Sequence, residues 1–482
     1  MKNTIDRSID RLLQESGGLS DLKISRFRLG GISCALLWCE GMISLDHANS
    51  MVIKQLSGLG RRFFSGQKLL DHLAARCQNF AGTPIGEGEL FHAVTSGNLV
   101  LLAEGADGAL CYPQQGYPYR AVSESYTEEN VRASREGFAE PIKVNMTLIR
   151  RRLKSRSLVF EPAVVGEDSR TDVALVYLAD RVTGQLLAEV RKRLGSIRIG
   201  SVLESGFIEP FFEQDGYSMF SAVGHTERPD TFCAKISEGR IGLLVDGTPF
   251  ALILPSLFIE SFQSFDDYTG RAYFASFIRI VKLVCFFVSV LLPGSYVAVA
   301  GFHPEMLPEK LLQSLVTAQQ QVALPLFAEA LFIHLVYEIV REAGLRLPRP
   351  VGHAVSLIGA LVVGETAITA GLVGAPLVMI AAFTTVCSYL LPTLYQQMTV
   401  FRFGFIVLGA LAGAVGITAG FCFLLLNICS VDAYGAPYTS PVTPYGGAAL
   451  RDGILRRSWR VLARRRFRMS QLPGSEDSDG KR

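Results

Sequence analysis

Little in this chain could carry covalent chemistry. Its seven histidines, at positions 47, 72, 92, 225, 303, 334 and 353, are scattered and form no HExxH pair, so no helix-borne zinc site is expected. There is no G-x-S-x-G elbow to present a nucleophile, no Walker-type phosphate loop, and no G-x-G-x-x-G turn after a strand. Hydrolysis, nucleotide binding and dinucleotide binding therefore have no support, and neither a cofactor nor a metal is expected. The nine cysteines include no C-x-x-C pair. Cys34, Cys39, Cys77, Cys111 and Cys233 have no framework spacing, while Cys285, Cys387, Cys422 and Cys429 lie in apolar stretches, so all are read as reduced packing residues. The first twenty residues carry Lys2, Asp6, Arg7, Asp10, Arg11 and Glu15 and no apolar core, which is not the pattern of a signal peptide. A net charge of +3 implies no nucleic-acid partner.

Charge itself is unevenly spread. Up to about residue 240 charged and apolar residues interleave, and from Leu283 to Ser430 charge nearly vanishes. Two classes of segment follow, a polar head and a membrane part. In the head, Ile32–Cys39 reads as a strand, with a turn at Glu40-Gly41 and a helix from about Leu45. Val173–Leu178 repeats the plan, with a turn near Ala179-Asp180 and a helix over Leu186–Leu194. Both strands are almost wholly apolar, as expected where helices cover both faces of a sheet. The expected fold is an α/β cytoplasmic N-terminal domain of two α/β subdomains, plus an all-α polytopic transmembrane domain. Expected bounds are an N-terminal segment 1–28, subdomains 29–130 and 131–242, a connector 243–275, the membrane domain 276–430 and a basic cytoplasmic tail 431–482. The run Arg150-Arg-Arg152 could bind phosphate or a lipid headgroup, but on a helix it fans around the surface and pairs with Glu128, Glu129 or Glu140, which is the preferred reading.

A membrane-crossing helix needs about 20 residues. Candidates are Leu283–Gly301, Leu324–Val340, Ala354–Val373, Ala375–Tyr395 and Phe403–Ser430. The second carries Glu329, His334 and Glu338, and at roughly 3 kcal/mol for each charge at mid-bilayer these should face other helices or water. Arg271, Arg279 and Lys282 before the first span, and Arg341, Arg346 and Arg349 after the second, put the head inside and the loop Phe302–Gln321 outside. The arginines after Ser430 put the tail inside as well. Five crossings cannot place both ends on one side, so an even number is expected, four or six. Either Ala354–Tyr395 crosses once net, or Phe403–Ser430 bends and returns, as Gly409, Gly413, Gly416 and Gly420 permit. Helical spacing sets Ile358, Leu361, Val362, Glu365, Ile368 and Thr369 along one broad side of the third segment. A carboxylate there is tolerable beside a water-filled path, and otherwise must pair inside the bundle or sit at the outer interface. In the tail, Leu455, Trp459 and Leu462 at helical spacing among Arg456, Arg457, Arg460 and Arg464 suit a helix lying on anionic lipid.

A series of motifs then stands in a fixed order. The head has Arg135-Glu-Gly-Phe138, Asn145 to Arg152, Thr226-Glu-Arg-Pro-Asp230 and Glu238-Gly-Arg240. At the membrane boundary come Val245-Asp-Gly-Thr-Pro-Phe250, Phe262-Gln-Ser264, Asp267-Tyr268 and Leu292-Pro293. His303-Pro304-Glu305, Arg341-Glu-Ala-Gly344, Arg346-Leu-Pro348 and Gly435-Ala-Pro-Tyr438 follow. From about Arg120 to Phe467, with an echo back to about Leu22, the chain resembles the A-type subunits of bacterial spore germination receptors, the GerA family. It departs from the pattern at Gln319-Gln-Gln321, at Val322-Ala-Leu-Pro325 and at Ile333-His334.

The resemblance implies a receptor in the inner membrane of a dormant spore. In it an A subunit works with a transporter-like B subunit that senses nutrients and a lipoprotein C subunit. It further implies that A subunits oligomerise around an ion-conducting path, which would place Val362 and Glu365, with Ile358 and Thr369, near that path. The alternatives are a SpoVAF-like accessory membrane protein that supports dipicolinate and ion release, or a non-conducting scaffold. An enzyme is not expected.

Overall fold

The computed structural model describes residues 4–15, 21–43, 62–76, 82–113, 134–213, 218–347, 362, 364–445, 452–462 and 468–472. The helix expected from Leu45 lies outside these residues.

Two modules of identical plan build the head. In the first, helix α1 (Thr4–Glu15) precedes the hairpin β1 (Leu22–Leu29) and β2 (Ile32–Cys39). Helix α2 (Gly66–Arg76), strand β3 (Thr83–Gly86), helix α3 (Leu90–Thr95) and the hairpin β4 (Asn98–Ala103) and β5 (Gly108–Pro113) complete it. The second module runs α4 (Ile142–Arg152), β6 (Leu158–Val165), β7 (Thr171–Leu178) and α5 (Gly184–Ser196). It ends with β8 (Gly224–Thr226), α6 (Pro229–Ser237), β9 (Ile241–Val245) and β10 (Ala251–Leu254). Both sheets are antiparallel, ordered β1-β2-β4-β5-β3 and β6-β7-β9-β10-β8, so the correspondence holds strand for strand.

Period-two alternation explains why helices cover both faces. Val173, Leu175 and Tyr177 of β7 meet Leu186, Val190 and Leu194 of α5. Ala174, Val176 and Leu178 point the other way, onto Ile149 of α4 and Phe232 and Ile236 of α6. In the first sheet Leu36 and Leu101 meet Leu69 and Leu73 of α2, while Leu37 and Val100 meet Ile5 and Ile9 of α1 and Phe91 of α3. The expected pair of α/β subdomains is what the chain forms. The second sheet continues through β9 and β10, which fall at and beyond the boundary expected at residue 242. The motif starting at Asp246 is their turn: Gly247 takes φ +91°, and Asp246 Oδ1 accepts from the Ile142 amide at 2.9 Å, capping α4.

The arginine run on α4 divides its work. Arg150 is buried and joins the two modules, donating from Nη2 to Asp21 at 2.8 Å and from Nε at 3.0 Å. Arg151 and Arg152 both pair with Glu136. Among the described residues the partners are thus Asp21 and Glu136; Glu128 and Glu129, expected from sequence, lie outside those residues.

Beyond the head, α7 (Ala272–Phe302) leaves the head side, and α8 (Glu309–Gln320) lies at the far end. Helix α9 (Leu326–Arg346) returns, and α10 (Ala375–Tyr389) runs beside it in the same direction. The Glu329 carboxylate, near the start of α9, accepts from the Gly374 amide at 2.6 Å, and Tyr337 bonds Tyr389 at the head-side end.

Tyr395–Cys429, here α11, is a hairpin and not a rod. Gly413 has φ +55° and ψ −135°, and the chain doubles back there. The rings of Phe401 and Phe423 lie 6.3 Å apart, whereas a straight helix would separate these residues by about 33 Å at its rise per residue. A Cβ on Gly413 would come within 2.9 Å of Phe302, so the turn sits against the far end of α7. Both roots of the hairpin lie on the head side, since the Met219 amide donates to Asn427 at 3.0 Å and Leu394 and Met398 share a core with Phe220 and Phe262. The bend that the glycines permit is therefore made, at Gly413.

Candidate functional site

By length and apolarity, two helical stretches among the described residues could cross a membrane, Ala272–Phe302 and the hairpin region Pro392–Cys429. Between them lies a seam of buried polar groups, and its construction begins with a proline. Pro293 lacks an N–H, so the Ser289 carbonyl four residues earlier in α7 loses its helical donor. Arg402, on the first arm of the hairpin, supplies the replacement. Its Nε donates to Ser289 O at 3.1 Å and its Nη2 to Ser289 Oγ at 2.7 Å. Gly294 admits this approach: a Cβ there would overlap the Phe405 backbone.

Arg402 is fully buried, and a buried charge demands a counter-ion. Glu338 of α9 provides it, with Oε1 3.6 Å from Arg402 Nη1. Glu338 in turn accepts from the Tyr395 hydroxyl at 2.6 and 2.7 Å, and Arg341 lies 3.9 Å away, stacked over the Tyr395 ring. Three elements, α7, α9 and α11, are thus tied by one ion pair and its hydrogen bonds. His334, one turn before Glu338, is buried, with Nδ1 2.9 Å from the Ala330 carbonyl. The seam can hold charge in a dry interior and fix the spacing of three helices. Among the described residues no group of three or more metal-ligating side chains exists.

The residues singled out by sequence divide into three groups. Glu329 and Glu338 bond groups outside α9, as given above, and the ring of His334 meets that of Phe403 on α11, 6.5 Å away. Val362, Glu365 and Thr369 are exposed, turned away from their own bundle, while Gly364 and Ala367 of the same turns are buried. Ile358 lies outside the described residues, as does Arg464. Arg457 and Arg460 are exposed, but Arg456 is not a lipid-facing side chain. It is buried in protein, donating to the Gly270 carbonyl at 2.9 Å and the Tyr268 carbonyl at 3.4 Å. Of the cysteines, the eight described are free; Cys422 and Cys429 are exposed and the others buried.

A second charged cluster lies at the junction of head and bundle. Glu260 bonds Arg240 and Lys235, the latter at 2.8 Å. Burial opposes its charge, but the two cations outweigh burial and hold the carboxyl at about 2. Nearby, Arg279 at the root of α7 is buried between Asp267, at 2.6 Å, and Asp452, at 3.1 Å. Burial raises the Tyr268 hydroxyl well above its ordinary value, and the Asp452 carboxylate beside it adds to the effect. Sequence reading missed Arg402 and Asp452. The available signal for the first was a lone arginine at the edge of an apolar run, ten residues downstream of Pro392.

The family model for the Bacillus/Clostridium GerA spore germination protein matches residues 9–467. The chain belongs to the GerA family. Within it, spore germination protein KA of Bacillus subtilis (strain 168) is 34% identical over 463 residues, covering 95% of this chain and 85% of that protein. GerLA of Bacillus cereus is 33% identical, covering 89% and 88%. The GerA-family chain is also 32% identical to the uncharacterized membrane protein YfkQ of Bacillus subtilis, over 96% and 90%. A crystal structure of the N-terminal domain of the A subunit of the Bacillus megaterium spore germinant receptor GerK3 aligns with a TM-score of 0.40 at 27% identity, covering 54% of this chain and 97% of that one.

Proposed function

We propose that this GerA-family protein is the A subunit of a germinant receptor. In this reading it is embedded in the spore inner membrane with its head and C-terminal segment on the cytoplasmic face. The chain crosses six times: α7, α9, the segment ending near Gly371, α10, and the two arms of the hairpin. The hairpin supports the even number that the arginine distribution requires. Copies of the chain assemble around a water path lined by Val362, Glu365 and Thr369. A transporter-like B subunit and a lipoprotein C subunit complete the receptor, whose work is ion release and not catalysis.

The observation that carries the conducting role is Glu365. It stands on the outer side of its own bundle in an otherwise uncharged stretch. Facing lipid there would cost roughly 3 kcal/mol, whereas water between copies removes the cost. The test is conductance of the assembled receptor in planar bilayers, wild type against Glu365→Gln. A changed cation-to-anion preference is expected, and unchanged conductance and selectivity would remove Glu365 from the path.

A further inference from the structure

The C-terminal segment is bound at two places on different bodies. At its first anchor, Asp452 and Gly453 meet the root of α7. Arg279 Nη1 donates to the carbonyls of Asp452, at 3.0 Å, and Gly453, at 2.6 Å, as well as to Asp452 Oδ1. The Tyr268 hydroxyl donates to Asp452 Oδ2 at 2.9 Å, and Gln263 Nε2 to the Asp452 carbonyl at 2.7 Å. Four residues on, the Arg456 amide donates to Ser276 Oγ at 3.0 Å, and Trp459 Nε1 to the Tyr268 carbonyl at 3.0 Å. The second anchor is on the head. The Met469 amide donates to the Glu238 carbonyl at 3.0 Å, and Met469 and Leu472 are buried in the core that Phe220 and Leu257 share with the bundle.

A segment serving only to put positive charge on a lipid surface needs neither anchor. Arg456 makes the point, because its guanidinium is spent on backbone carbonyls inside the protein. We propose that the anchored stretches 452–462 and 468–472 form a strap that couples the head to the first membrane helix, with Asp452 as its latch on the root of α7. Its part in signalling rests on the receptor reading above; its mechanical existence does not. Arg279 makes the latch specific. One fully buried guanidinium is shared between Asp267, which is local, and Asp452, which arrives from the far end of the chain. Opening the strap takes away one of its two carboxylates. The head and α7 then remain joined through residues 255–271 and the core that Phe220 and Leu257 share with Phe286, a more compliant connection than the same contacts with the strap in parallel.

The strap is tested first as a mechanical object. Hydrogen exchange at the Arg456 amide is measured by mass spectrometry on the purified full chain in detergent. Because hydrogen bonds to charged groups are the strong ones, Asp452→Asn is expected to speed exchange about tenfold. An unchanged rate would overturn the latch. Coupling is tested in spores carrying equal amounts of each variant. Asp452→Asn opens one anchor and Leu472→Ser the other. The two are in series, so each is expected to slow the germination response by the same factor, and the double variant is expected to be no slower than either single. Slowing that multiplies in the double variant would mean two independent structural defects, and wild-type rates in both singles would mean no coupling; either result overturns the proposal. Whether the chain serves a receptor at all is read separately, by restoring the wild-type gene to spores that lack it.

Discussion

Gly416 and Gly420 on the returning arm of the hairpin face Leu408 and Phe405 on the outgoing arm. A Cβ on Gly420 would lie 2.8 Å from both the Leu408 side chain and the Phe405 ring, and one on Gly416 would overlap the Leu408 carbonyl. Ordinary contact begins near 3.4 Å, so Gly420→Ala requires a flexible side chain to shift by several tenths of an ångström. Gly416→Ala is worse, because the obstacle is backbone and the arms themselves must part. Overpacking of this kind costs about 1–3 kcal/mol. Gly404, on the same arm as Leu408, has nothing within 4 Å of where its Cβ would be, and there alanine should stabilise by about 0.5–1 kcal/mol through helix propensity. The expected order of thermal midpoints in detergent is therefore Gly404→Ala above wild type, Gly420→Ala below it and Gly416→Ala lowest. In a straight helix all three glycines would be alike and all three substitutions would stabilise. Gly416→Ala matching Gly404→Ala would refute the hairpin.

Two further expectations concern buried charge. Arg402→Met leaves Glu338 without its buried partner and should cost about 3–5 kcal/mol; adding Glu338→Gln should restore much of that loss in thermal unfolding, and a double variant no better than the single would mean that the pair is not the cause. Glu260 holds its carboxyl near 2, below the ordinary 4.5, so its contribution is present at neutral pH and is lost as pH falls from about 4.5 towards 2. The depression corresponds to about 3 kcal/mol. The stability gap between wild type and Glu260→Gln should shrink over that window, and a gap independent of pH would count against the assignment.

Local patterns were readable where one segment decides its own fate. The apolar runs at Ile32–Cys39 and Val173–Leu178 announce strands covered on both faces, and their similarity reflects two modules of one plan. Glycine spacing showed where the last apolar stretch could turn, though not that Gly413 was the place. What escaped was pairing between distant segments. Glu338 is legible as an awkward charge in an apolar segment, but its partner Arg402 lies just ahead of the next apolar run, where it looks like a flanking cation. Arg456 stands among arginines with the same composition, and only Tyr268 and Gly270 distinguish it, about 190 residues earlier. Pro293 reads as a kink, while its use, freeing a carbonyl for an arginine on another helix, is a three-dimensional fact.

The folded-back α11 also constrains how the protein can be made. The arms 395–412 and 414–429, 18 and 16 residues long, stand near the lower limit of what spans hydrocarbon, and the outgoing arm carries a guanidinium. Neither is fit to leave the insertion machinery alone, so the two must be released together. Arg402 must wait there until α7 and α9, synthesised earlier, close around it. On the six-crossing proposal, assembly is accordingly ordered from the amino-terminal side, and the fifth crossing, the outgoing arm, brings the arginine that balances Glu338 on the second.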